Sequence, residues 1–148
     1  MKNILAMIGL LLGGFCVALA CGADRTKAAQ IGISAVFFFT ALGHFARRGK
    51  MMEMLPAVLP ARSALVISSG VLEILLAAGA LFSVYSRVTG WAICVFLVVV
   101  TPVNVYAALK RVDFGGHGAG PKYLFVRIPL QILLFAWTYW FLVHTHGA

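Results

Sequence analysis

The chain has 148 residues, of which 62% are hydrophobic and 11% are charged, and its formal net charge is +8. Soluble domains are about a quarter charged, so this composition predicts a protein for which the lipid bilayer is the main solvent. The 12 Lys and Arg residues lie in short gaps between apolar runs, which is typical of membrane topology signals and argues against nucleic-acid binding.

Five apolar runs follow one another along the chain, and each approaches the ~20 helical residues that a hydrocarbon core requires. They cover residues 4–22, 28–45, 63–85, 88–109 and 123–143. Because the gaps between them are short, we expect consecutive helices to be antiparallel neighbours. The predicted fold is all-α, an integral membrane helical bundle.

The first run, within residues 1–27, is predicted as an N-terminal transmembrane helix separate from a membrane domain at 28–148. Lys2, the apolar stretch and "ALA" at 18–20 also resemble a signal peptide with its cleavage site. Cys21 suggests a lipoprotein, although Ala18 fits that pattern poorly. We prefer a retained helix, an uncleaved signal anchor.

The distribution of basic residues predicts the orientation. Eight Lys and Arg residues fall on one side of the five runs and three on the other, while Arg127 lies inside the fifth run. The positive-inside rule then places the N-terminus and the loops at 46–62 and 110–122 in the cytoplasm, and the C-terminus outside.

Two connecting segments on this side have unusual compositions. The sequence "MMEMLPAVLP" at 51–60 is too short to cross the bilayer and contains two helix-breaking prolines, so we expect a re-entrant or interfacial segment. "GGHGAG" at 115–120 lacks the spacing of a phosphate-binding loop and is interpreted as a flexible linker.

Polar side chains inside the apolar runs are few, and antiparallel crossing brings them to the same half of the bilayer. Glu73 is about ten residues into its helix, roughly 15 Å deep. A carboxylate at that depth must be neutral, paired or next to water. We predict that it pairs with Arg127. The complete predicted polar layer is His44, Ser69, Glu73, Asn104, Arg127 and Gln131.

Each member also has a purely structural interpretation. His44 is placed where an interfacial residue could cap a helix end, and Arg127 could extend to the lipid surface. Asn104 and Gln131 could simply tie helices together. Glu73 is flanked by small residues that favour close helix packing, so it is expected to face the bundle interior. These small residues are Ser69, Gly70, Ala77 and Ala80.

Several motifs occur in a characteristic order: "ALGHF" at 41–45, "LPAVLP" at 55–60, "SGVLEILLAAGAL" at 69–81, "TPVNVYAAL" at 101–109 and "RIPLQILLFAW" at 127–137. Together they resemble small bacterial membrane proteins of the DoxX-like family. The resemblance implies a four-helix core over about 28–143 that includes His44, Glu73, Asn104, Arg127 and Gln131, in the bacterial inner membrane. The additional N-terminal helix and Thr101 depart from the family pattern.

The DoxX-like family takes its name from a subunit of a thiosulfate–quinone oxidoreductase. No redox Cys pair or haem-ligating arrangement occurs in this sequence, so that activity is not inherited from resemblance alone. No cofactor motif is evident, and a quinone or a lipid is the ligand class that we expect. His144 and His146 lack a third ligand, so no metal site is predicted.

The sequence therefore favours an accessory subunit or a binder of a lipophilic ligand, with a membrane oxidoreductase subunit or a second copy of the chain as partner. The alternative is a membrane enzyme in which Glu73 or His44 transfers protons to a quinone-like or isoprenoid substrate. A proton-coupled transporter of a small solute is a third interpretation, and it would require a dimer to provide a pathway.

Overall fold

The computed structural model describes residues 2–145. Within that range the chain forms helices and turns and no β-strand. A π-helical segment at Tyr139–His144 extends the last helix, and 3-10 turns occupy Ser83–Tyr85 and His117–Tyr123. The six α-helices are α1 (Lys2–Ala20), α2 (Arg25–Ala46), α3 (Arg48–Glu53), α4 (Arg62–Leu81), α5 (Ser86–Leu109) and α6 (Leu124–Thr138).

Five helical stretches are long and apolar enough to cross a membrane, which confirms the number predicted from the sequence. The ends of these helices differ from the ends of the predicted apolar runs where a local interaction determines the first or last helical residue. α2 begins at Arg25, because the side chain of Asp24 accepts a hydrogen bond of 2.9 Å from the backbone N–H of Lys27. α4 ends at Leu81, where Phe82 adopts an extended conformation and the chain tightens into a 3-10 turn.

α1 packs directly against α2 as a full member of the bundle. A Cβ atom added to Gly32 on α2 would lie 2.5 Å from the carbonyl oxygen of Leu11 on α1. Only a residue without a side chain allows the two backbones to approach so closely. Leu11 and Ile33 are fully buried at this contact and belong to the main hydrophobic core.

α2 and α4 also pack closely, and the small residues predicted to allow this do so. A Cβ atom added to Gly70 on α4 would lie 2.7 Å from Cβ of His44 on α2. Ala77 and Ala80 continue the same buried face, and Glu73, between Gly70 and Ala77, is only 6% exposed. The prediction that Glu73 faces the bundle interior is therefore confirmed.

We call the end of the bundle that carries residues 46–62 and 110–123 the basic end. Of its two connections, the first contains α3 and a turn with Pro56 and Pro60. In the second, the stretch 115–120 was predicted to be a flexible linker, and that prediction is wrong. Residues 117–123 form a 3-10 turn that packs on α5, and His117 and Gly120 are buried.

Candidate functional site

The bundle contains a cavity of about 1100 Å³ at its basic end. Residues of all six helices and of the segment 113–119 line it. This volume is at the upper end of the range usual for small-molecule sites. Much of the wall is apolar and includes Met7, Phe39, Met51, Leu65 and Val100. The cavity also collects five of the six residues of the predicted polar layer: His44, Ser69, Glu73, Asn104 and Arg127.

His44 connects α2 to α4 through three polar contacts. Its Nδ1 lies 2.9 Å from the carbonyl oxygen of Val66 and 3.0 Å from Oγ of Ser69. Ser69 also donates to the Val66 carbonyl, at 2.9 Å. The other ring nitrogen, Nε2, lies 3.5 Å from Oε2 of Glu73. The imidazole is therefore held in one orientation, with Nε2 directed at the carboxyl group.

The contact with the Val66 carbonyl identifies which ring nitrogen of His44 carries a hydrogen. A nitrogen 2.9 Å from a carbonyl oxygen must carry a hydrogen between the two atoms, so Nδ1 of His44 is protonated. Nε2 then faces Oε2 of Glu73 at 3.5 Å, and Oε2 has no hydrogen-bond partner among the described residues.

Asn104 and His117 form a second connection, between α5 and the 3-10 turn. The side-chain amide of Asn104 donates to the carbonyl oxygen of Val100 at 2.9 Å, which turns its Oδ1 toward His117. Nε2 of His117 lies 3.2 Å from that oxygen, and Nδ1 lies 2.8 Å from the carbonyl oxygen of Phe114. The His117 ring therefore fastens the turn to α5 on both of its edges.

Arg127 does not pair with Glu73, so the predicted ion pair is wrong. Within the described residues, no carboxylate oxygen lies within 4.0 Å of its guanidinium nitrogens. Its Nη1 contacts the sulfur of Met7 at 3.5 Å, and its Nε is buried without a hydrogen-bond partner. Glu73 instead takes His44 as its partner, because α2 and α4 are in direct contact at Gly70.

Gln131 is the member of the predicted polar layer that lies apart from the cavity. Its Nε2 donates to the carbonyl oxygen of Leu97 at 2.6 Å, joining α6 to α5. Its side chain faces a separate, shallow apolar groove between these two helices. Gln131 therefore has the helix-tying role that was one of its two interpretations.

The sequence interpretation missed His117, Tyr123 and the residues of α1 that line the cavity. The His117 and Tyr123 rings pack with their centroids 4.6 Å apart, and both side chains are buried. On α1 the lining residues are Asn3 and Met7. Their i,i+4 spacing places them on one helix face, and this was the only signal in the sequence that could have assigned them to the site.

Metal binding has no structural support in the part of the chain that the structure describes, where no group of three or more His, Cys, Asp or Glu could hold an ion. Of the two C-terminal histidines, His146 lies outside the described residues, and the ring of His144 stacks on Trp140. The site is therefore characterised by hydrogen-bonding groups and apolar walls.

Fold and site together define an all-helical bundle with five helices able to span a membrane and a polar cavity at one end. Residues 33–142 match the model of a family described as a domain of unknown function, DUF8561. The match covers about three quarters of the chain, which therefore belongs to this family. No curated protein and no solved structure matches the chain.

Proposed function

We propose that this protein binds a lipophilic ligand of the quinone or lipid class in the cavity at its basic end, and that it serves as an accessory subunit in the bacterial inner membrane. The observation that carries the proposal is the cavity itself. It places His44, Glu73, Asn104 and Arg127 in one space with largely apolar walls. An amphiphile needs both kinds of surface, apolar area for its tail and fixed polar groups for its head.

The segment at the mouth of the cavity also fits a lipophilic ligand. Met51, Met54 and Leu55, from α3 and the turn after it, line the cavity. Methionine side chains are flexible and polarisable, so they adapt to ligands of different shape. The apolar part of this segment, predicted to lie at the membrane interface, would allow a ligand to enter from the lipid.

The second candidate function, proton transfer to a quinone-like substrate, is favoured by the His44–Glu73 contact. When it carries a proton, the His44–Glu73 pair beside the cavity could deliver that proton to a bound carbonyl oxygen and recover it afterwards. This enzymatic role requires that Glu73→Gln abolish turnover while the protein stays folded and still binds ligand.

The membrane orientation and the relation to DoxX-like proteins are part of the proposal. The excess of Lys and Arg at the basic end supports a cytoplasmic location for that end, with the C-terminus outside. The family match over 33–142 covers nearly the same stretch as the resemblance to DoxX-like proteins. We propose that the two families share a core of α2, α4, α5 and α6, to which α1 is added.

Native mass spectrometry of the gently extracted protein tests the binding function. Val103 on α5 lines the cavity, whereas Val99, one turn away, is 65% exposed on the outer face and does not line it. Val103→Trp fills the cavity, and Val99→Trp is the matched control with the same change on the same helix. We expect a lipophilic adduct on the wild type and on Val99→Trp, and its loss from Val103→Trp.

Two results would overturn the binding function. The first is an adduct that remains on Val103→Trp, because the ligand would then lie outside the cavity. The second is a stoichiometric partner protein on both variants without any lipophilic adduct. That result would make the chain a structural subunit whose buried polar groups serve assembly.

A further inference from the structure

The acidic residues of the chain can be followed one by one, because there are only four. Asp24 caps α2 at the end of the bundle opposite the basic end. Glu53 lies 3.4 Å from Lys50 in an exposed pair on α3. Glu73 lies 3.5 Å from Nε2 of His44. Asp113, the last of the four, lies exposed on the segment that lines the cavity.

Arg127 is therefore a cation without a protein counter-charge in contact. The guanidinium stays protonated in proteins. None of the four carboxyl groups lies within 4.0 Å of it, and its Nη1 contacts the sulfur of Met7, a weak acceptor. The buried Nε has a hydrogen to donate and no acceptor. Buried charges in proteins are normally paired, and the Arg127 guanidinium has no anion in contact with it among the described residues.

The cavity adjoins both this cation and an apolar wall. Arg127 lines it together with Met7 and Tyr123, and Arg47 adds a second cation at an exposed position of the lining. Oε2 of Glu73 faces Nε2 of His44 at 3.5 Å, and no oxygen of Glu73 lies within 4.0 Å of the guanidinium nitrogens of Arg127. A ligand with an acidic head would supply the missing acceptor, and its tail would occupy the space beside Phe39, Met51 and Leu65.

We infer that the ligand is an acidic amphiphile, whose carboxylate or phosphate head binds the Arg127 guanidinium while its hydrocarbon tail fills the apolar part of the cavity. This inference rests on the proposed binding function and narrows it to one class of head group. Arginine suits this role, since its planar fork of N–H donors matches carboxylate and phosphate oxygens in pairs. A fatty acid and a phospholipid could both supply such a head.

Binding of three probes with the same oleoyl chain tests the inference on the purified full-length protein in mild detergent. Oleate has a carboxylate head, 1-oleoyl-lysophosphatidate has a phosphate head, and oleyl alcohol has a neutral one. We expect at least one acidic probe to bind the wild type about tenfold or more tighter than oleyl alcohol. The better acidic probe then identifies the head group as carboxylate or phosphate.

Variants of Arg127 assign the preference to this side chain. Arg127→Met should remove the tenfold preference and leave oleyl alcohol binding unchanged, which also shows that the variant is folded. Arg127→Lys keeps the charge without the planar fork and should retain part of the preference. Arg48→Met is the matched control, because Arg48 is exposed on α3 and does not line the cavity. It should behave as the wild type does.

The failures of the inference and of the proposed function are distinguishable. If Arg127→Met still prefers an acidic probe as strongly as the wild type does, the head group does not bind Arg127 and the inference is overturned, although the cavity still binds lipophiles. If no probe binds the wild type, or if every probe binds Val103→Trp as tightly as it binds the wild type, the cavity is not a binding site. Both statements then fall together.

Discussion

The two halves of the bundle bury polar side chains to a similar degree and use them differently. In the half opposite the basic end, Gln30 on α2 is fully buried and donates to Oγ of Ser86 on α5 at 3.0 Å. Trp137 on α6 donates to the carbonyl oxygen of Ala29 at 3.2 Å. None of these residues lines the cavity. At the basic end, Glu73 and Asn104 are similarly buried and do line it.

The difference between the halves comes from what separates the helices. Toward the opposite end α1 and α2 meet backbone to backbone at Gly32, so polar groups there can only tie one helix to the next. At the basic end, α3 and the 3-10 turn at 117–123 stand between the helix ends and contribute lining residues. The buried polar residues of this end therefore face a shared cavity, although α2 and α4 are in direct contact at Gly70.

The largest expected effect on stability is in the half of the bundle opposite the basic end, which we call the closed half. Gly32→Val adds a branched side chain whose Cβ would lie 2.5 Å from a backbone oxygen of α1. Because that oxygen can move only with its helix, we expect a loss of about 3 kcal/mol in the free energy of unfolding. Titration with a denaturing detergent in mixed micelles would measure it.

Gly13→Val on α1 is the control for this prediction, since a Cβ atom there would meet nothing within 4 Å. Its effect should stay within about 0.5 kcal/mol. If Gly32→Val were as mild as the control, α1 would not be fixed against α2. The description of this half as closed would then be wrong.

Coupling energies of intermediate size distinguish the two partners considered for Glu73. Double-mutant cycles that combine Glu73→Gln with either His44→Gln or Arg127→Met compare the two pairs. The contact of 3.5 Å with His44 predicts a coupling energy of about 1–2 kcal/mol for that pair. Glu73 and Arg127 are not in contact, so their coupling should stay below about 0.5 kcal/mol. A larger coupling to Arg127 than to His44 would restore the ion pair predicted from the sequence.

The exchange of Arg127 for His44 as the partner shows what the sequence could and could not determine. Hydropathy predicted five helices, and residue counting along antiparallel helices placed both candidates in the same half of the bilayer as Glu73. Depth does not fix the rotation of a helix about its axis. That rotation is set by close contacts such as the one between Gly70 and His44, which depend on the packing of the whole bundle.

The segment at 110–123 shows a second limit. Its glycines indicated a flexible linker, because local composition describes how freely a chain could move in isolation. The ordering comes from the contact of His117 with Asn104, thirteen residues earlier on α5. A single histidine among glycines carries no periodic pattern, so sequence reasoning had no signal for its burial. The polar layer was predicted in most of its members, but the turn that shapes one wall of the cavity was not.

The smallest expected effect on stability gives the sharpest comparison of the halves. Gln30→Leu and Asn104→Leu each replace a buried amide with an apolar side chain. Each should cost about 1 kcal/mol or less in the free energy of unfolding, since each removes one interhelical or helix–turn hydrogen bond.

Asn104→Leu also releases His117 from α5 and should weaken binding of the oleoyl probes about fivefold. Gln30→Leu should bind as the wild type does, because it changes a contact in the closed half. If both variants weakened probe binding equally, the polar groups of the two halves would act as one network. The distinction between the closed half and the cavity at the basic end would then be wrong.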